Sequence, residues 1–170
     1  MTAYVALLRA VNVGGRKLAM ADLKRIATES GLVNPKTFIA SGNLLFVSDE
    51  TESAVARLLE ARLREHMKAE VPVLVRTADE MAAVATANPF PGAEGSKVVA
   101  IFLEKEPHKD ALEKASGIAD EKLALGAREI YVHYPSGMAW SKLRLPAAAG
   151  GTARNMNTVA KLAAMAMEVE

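Results

Sequence analysis

Between residues 4 and 77 the chain alternates short β-forming runs with amphipathic helical stretches, in an order that few folds accept. Residues 4–11 are rich in β-formers and run into the turn residues Asn12-Val13-Gly14-Gly15. Met20, Leu23, Ile26 and Ala27 follow helical spacing, and Gly31 is placed to stop that helix. Thr37-Phe38-Ile39 and residues 44–47 are short β runs around Ser41-Gly42-Asn43, which predicts a hairpin with a tight turn. Val55, Leu58, Leu59, Leu63 and Met67 line one face of a long helix, and residues 72–77 make a further strand. The resulting order, β-α-β-β-α-β, is the ferredoxin-like pattern: an antiparallel sheet with two helices on one face.

The second half reads as a shifted version of the first. Thr77-Ala78-Asp79-Glu80 is a capping box opening a helix to about Ala87. Residues 88–92 (NPFPG) close it with a loop, and residues 97–103 (KVVAIFL) form a nearly continuous apolar strand, expected to be central. A short helix is expected over 109–116, a hairpin over 122–133 around Gly126, and a terminal helix over about 153–167. These elements predict an α+β fold of two intimately packed ferredoxin-like halves with antiparallel sheets. The boundary is placed in the loop at 88–96, giving halves 1–88 and 89–170. A structural duplication is suspected, although no repeat is evident residue by residue.

Composition narrows the function classes. About half of the 170 residues are hydrophobic (51%), enough for a sizeable core, and the formal net charge of +1 offers no global basic field for nucleic acid or membrane. With no cysteine, disulfides, thiol nucleophiles and thiolate metal sites are excluded together. That suits a reducing cytoplasm. Arg9 interrupts the first apolar run and no basic segment precedes it, so neither a signal peptide nor a membrane span is expected.

The charges are unevenly placed. Residues 1–21 hold Arg9, Arg16 and Lys17 and no acid, and residues 138–167 hold Lys142, Arg144, Arg154 and Lys161 and no acid. In the second stretch, GTARNMNT crowds Thr152, Arg154, Asn155, Asn157 and Thr158 at a helix mouth. Unpaired N–H groups and the peptide dipoles make such a place receptive to a phosphate or carboxylate. With Thr152 as N-cap, Arg154, Thr158 and Lys161 would share one stripe of the helix. The alternative is plain helix capping. In the first stretch, RAVNVGGRK ends a strand in a glycine loop flanked by cations. That loop can cradle an anion or serve only as a turn, and it is neither a dinucleotide fingerprint nor a Walker loop. Ser41-Gly42-Asn43 reads first as a turn. Ser141-Lys142 is a poor nucleophile pair, because adjacent residues on an extended segment point opposite ways. The candidate ligand-binding set is therefore Arg9, Asn12, Gly14, Gly15, Ser41, Asn43, Lys142, Thr152, Arg154, Asn155, Asn157 and Thr158. His66, His108 and His133 lack metal-ligand spacing, so no metal site and no cofactor is named.

Four of these segments together carry a resemblance: residues 4–9 with Asn12-Val13-Gly14-Gly15, Ser41-Gly42-Asn43 with Phe46, Ser141-Lys142-Leu143, and Gly151-Thr152 with Arg154-Asn155 and Asn157-Thr158-Val159. The chain resembles the bacterial family catalogued as domain of unknown function 1697. The resemblance implies a two-lobed α+β fold with ferredoxin-like halves, no settled activity, and motifs that belong together. The family tends to have Gly where Ala10 stands, a polar residue at Ala40, and Trp where Met156 stands. Trp140 is a candidate replacement for that missing stacking platform.

Three functions compete. The first is binding of an anionic small molecule at a basic pocket formed by the two motifs. No residue is an obvious general base, so any catalysis would rest on positioning and electrostatics. The second is a regulatory or scaffold protein acting through protein partners. The third, a nucleic-acid module, is disfavoured because only 5% of residues are aromatic and NLLFVS lacks the basic-glycine-aromatic signature.

Overall fold

The computed structural model describes residues 1–12 and 15–169. Its first six elements are β1 (Thr2–Leu8), α1 (Met20–Glu29), β2 (Val33–Thr37), β3 (Asn43–Ser48), α2 (Glu52–Met67) and β4 (Val73–Thr77). The sheet order is β2-β3-β1-β4 and every pairing is antiparallel. That is the ferredoxin-like order expected from the element sequence.

The period of the apolar residues explains which faces pack. Tyr4, Ala6 and Leu8 alternate along β1 and share a core with Leu44 and Phe46 of β3, Val73 and Val75 of β4, Leu23 and Ile26 of α1, and Leu59 and Leu63 of α2. Tyr4 and Phe46 meet with ring centroids 5.7 Å apart. The alternate residues Val5, Leu7, Leu45 and Val47 are buried too. Thr51 caps α2 by accepting from the Ala54 N–H at 3.1 Å, and Lys68 ends it in a left-handed conformation (φ 57).

The strand expected at residues 37–39 lies earlier in the chain. Ile39 has φ 51, which no strand continues, so β2 occupies residues 33–37 instead. It is an edge strand with an irregularity between Val33 and Lys36, and an edge tolerates Pro35.

The second half comprises α3 (Ala78–Thr86), β5 (Val98–Phe102), β6 (Lys122–Leu125), β7 (Glu129–His133), β8 (Thr152–Asn155) and α4 (Met156–Glu168). Its sheet is ordered β6-β7-β5-β8, again antiparallel, with β5 central as expected. The capping box forms: the Thr77 N–H donates to Glu80 Oε1 at 2.9 Å, and the Glu80 N–H donates to Thr77 Oγ1 at 3.1 Å. The helix expected at 109–116 is only a 3₁₀ turn, Ala111–Lys114. Two crossovers that are helices in the first sheet are thus irregular in the second. Its small core joins Leu103, Ile130 and Val132 with Leu112, Leu143 and Leu145 from those connections.

The chain divides into two compact units, residues 1–82 with 162–170, and residues 83–161. The division falls within α3 and α4, and the proline loop at 88–96 belongs to the second unit.

Register exposes the duplication that residue matching misses. Val5 faces Arg76 and Leu7 faces Asn43 in the first sheet, while Ala100 faces Arg154 and Phe102 faces Glu129 in the second. Arg76, Arg154, Asn43 and Glu129 are all buried. Each arginine donates through Nη1 to the carbonyl of the residue before it, Val75 at 3.2 Å and Ala153 at 2.9 Å. Each precedes a residue whose side chain caps the following helix, Thr77 or Asn155. One strand-arginine-cap-helix device is therefore used twice.

Candidate functional site

The RAVNVGGRK loop follows β1 at one end of the first sheet. Ala10 (φ 56), Asn12 (φ 57) and Gly15 (φ 84) all take left-handed backbone there. At Ala10 this conformation is the physical reason a glycine suits the position. Asn12 clasps the loop. Its Nδ2 donates to the carbonyls of Leu18 at 3.0 Å and Ala40 at 2.7 Å, and its Oδ1 accepts from the Leu18 N–H at 2.8 Å. The loop and the β2–β3 turn are thereby held together, two motifs 28 positions apart in sequence.

The β2–β3 turn is built around Asn43, which is fully buried. Its Nδ2 donates to the Phe38 carbonyl at 2.9 Å and to Ser41 Oγ at 3.1 Å. Gly42 (φ 92) packs so closely that a Cβ would lie 2.6 Å from Val11 Cγ2 and 2.9 Å from Leu8 Cβ.

Cations surround the loop. Among the described residues, Arg9 and Lys17 make neither an ion pair nor a side-chain hydrogen bond. Arg16 makes no ion pair; it donates through Nη2 to the Glu70 carbonyl, and its buried Nε has no partner. Of the candidate residues, Arg9, Asn12, Gly15, Ser41 and Asn43 belong to this unit. Gly14 lies outside the described residues. Arg16 and Lys17, visible in the sequence as cations flanking the loop, were not among the candidate binding residues.

The GTARNMNT segment differs from its expectation. Residues 152–155 are strand β8, paired with Phe102 to Val99 of β5, and the helix begins at Met156. Thr152 is therefore no N-cap. Its Oγ1 is buried without a hydrogen-bond partner among the described residues. Asn155 caps α4 instead, its Oδ1 accepting from the Thr158 N–H at 2.9 Å. Arg154 lies on the sheet, so the stripe of Arg154, Thr158 and Lys161 along one helix does not exist. The cause is the pairing with β5: four residues gain ladder hydrogen bonds that outweigh an earlier helix start.

Burial lowers the Arg154 guanidinium to about 10, still charged at neutral pH. Asn157 lies against Gly95, where a Cβ would be 2.1 Å from its Oδ1. Lys142 is exposed. Burial, with Glu129 adding its charge, pushes the Tyr131 hydroxyl up to about 12, so it stays protonated and donates to the Val84 carbonyl at 3.1 Å. Asn155→Ala is expected to cost about 1 kcal/mol by removing the α4 cap, read by urea denaturation. Asn155→Asp should restore most of that loss.

Fold and motifs together define an α+β protein with two ferredoxin-like sheets and a strained, basic loop at the end of the first. The family model "Protein of unknown function (DUF1697)" matches residues 1–131, and the chain belongs to this family. The match includes the motifs at 4–15 and 41–46 and stops before those at 141–143 and 151–159. A solved structure, that of conserved bacterial protein SP0830 from Streptococcus pneumoniae, is similar in fold. Its TM-score is 0.80 at 24% identity, over 97% of this chain and 98% of that one. No curated protein matches. Among the described residues no helix is long and apolar enough to cross a membrane.

Proposed function

We propose that the protein binds a small anion, a phosphate- or carboxylate-bearing molecule, at the loop of residues 9–17. The observation that carries this reading is the set of three cations, Arg9, Arg16 and Lys17, on one loop with no ion pair among the described residues. Arg9 and Lys17 neutralise ligand charge in this reading, and Arg16 stands beside them. The left-handed conformation of Gly15 itself (φ 84) is of the kind that turns backbone N–H groups toward an anion. Asn12 acts as the clamp that holds the loop's shape. The cap role of Asn155 removes one reason to place the ligand at α4, so the reading rests on the loop.

A thermal-shift screen at fixed ionic strength tests it, using phosphate, sulfate, sugar phosphates and dicarboxylates. A ligand at 100 times its Kd should stabilise the protein by about 2.7 kcal/mol. Arg9→Ala combined with Lys17→Ala should abolish the shift, while Lys142→Ala should leave it. A flat screen, or a shift that survives the double substitution, sinks the proposal.

A further inference from the structure

In the second unit, residues 119–121 and the turn at 136–141 enclose a cleft of about 340 Å³, a volume suited to a small organic ligand. Its lining includes Asp120, Glu121, Ser136, Ser141 and the indole of Trp140. Its charge is opposite to that of the basic loop.

Three observations point to one kind of occupant. Glu121 is only 8% exposed and has no cationic partner among the described residues. Its Oε1 accepts from the Ser141 hydroxyl at 3.1 Å and its Oε2 from the Ala119 N–H at 2.9 Å. Asp120 has no counter-charge either, and its Oδ2 accepts from the Ser136 hydroxyl at 2.5 Å. A buried carboxylate without a counter-charge is costly. Trp140, the chain's one tryptophan, is 89% exposed, so a large indole is left in water at the mouth of the same cleft.

The third observation is the polarity of the lining. Both serine hydroxyls spend their protons on carboxylates, so their oxygens face a ligand as acceptors. Ser141 Oγ already accepts once, from the Leu143 N–H at 3.2 Å. The N–H groups of Ala119, Gly137 and Ser141 are spent inside the protein, the last two on the Tyr134 and Met138 carbonyls. The lining side chains therefore offer carboxylate and hydroxyl acceptors and negative charge beside an aromatic face, with the indole N–H as their one donor. An ammonium or guanidinium group supplies donors, needs no donor in return, and is attracted to an indole face. An anion would meet two carboxylates. A metal ion would need more ligands, and among the described residues no group of three or more His, Asp or Glu side chains could hold one.

We infer that this cleft binds a small organic cation, an ammonium or guanidinium compound, with Asp120 and Glu121 supplying charge and Trp140 covering the cation.

Because Trp140 is the only tryptophan, its fluorescence reads the site in the full-length chain. n-Butylammonium and methylguanidinium would be titrated at fixed ionic strength beside their neutral counterparts, n-butanol and methylurea. The expected result is a saturable change with the cations and none with the neutral counterparts. Asp120→Asn, with an unchanged melting temperature, should weaken binding about tenfold. Trp140→Ala, followed by calorimetry, should weaken it as well. Glu121→Gln is a second carboxylate variant, should Asp120→Asn prove unstable. Equal responses to cation and neutral counterpart would overturn the inference, as would indifference to the carboxylate variants. Binding of a lysine-rich peptide but of no free cation would overturn it too, in favour of a protein partner.

Discussion

Gly42→Ala is expected to destabilise the first unit by about 2–5 kcal/mol, measured by urea denaturation. Two separate costs combine. The left-handed conformation at φ 92 costs a side chain about 1–2 kcal/mol. The added methyl also has no room, since its position lies 2.6 Å from Val11 Cγ2 and 2.9 Å from Leu8 Cβ, and overpacking of that kind costs about 1–3 kcal/mol. Gly31→Ala separates the two. Gly31 has φ 84 but nothing within 4 Å of the new Cβ, so only the backbone cost should appear there. Equal effects at both positions would show that crowding at Gly42 relaxes freely. The test also bears on the basic loop, because Val11 sits between Arg9 and Asn12, and a displaced Val11 would disturb the clamp.

Phe46→Ala should cost about 3–5 kcal/mol, and Phe46→Leu about 1. Phe46 is fully buried in β3, touches Tyr4, and belongs to the core that both sheet-packed helices complete. Truncation to alanine removes the ring's transfer energy and leaves a cavity that β1 and β3 close only by breaking their ladder. A loss below about 1 kcal/mol for the alanine variant would mean the core repacks around the lost ring and does not depend on Phe46.

Apart from β2, which lies at 33–37 because Ile39 takes a left-handed backbone, the elements of the first sheet were legible because each carries a local signal: period-2 runs, period-3.6 runs, Gly31 as a stop. The capping box at Thr77 and Glu80 was legible for the same reason, since its partners lie three positions apart. The errors share a different cause. Residues 152–155 carry helix-capping residue types, yet they lie in β8 because β5 is available to pair with them. That partner is some 50 positions away. The expected helix at 109–116 shrank to a 3₁₀ turn, and its Leu112 joined the small core of the second sheet.

The candidate site divides in the same way. The unpaired cations of the 9–17 loop could be suspected from the absence of acids around them. The acidic cleft could not, since Glu121 and Trp140 line one cleft only after the turn at 136–141 returns to residues 119–121. By itself the sequence determined the element types of the first sheet and its helices, the ferredoxin-like order and the basic character of the first loop, because these depend on side chains within a few positions of one another. Only the tertiary structure decided where α4 begins, which arginines and polar groups occupy equivalent registers in the two sheets, and which carboxylate is buried in the cleft that the tryptophan lines. Those outcomes depend on hydrogen-bond ladders and close packing between segments far apart in the chain, and their energies have no local signature.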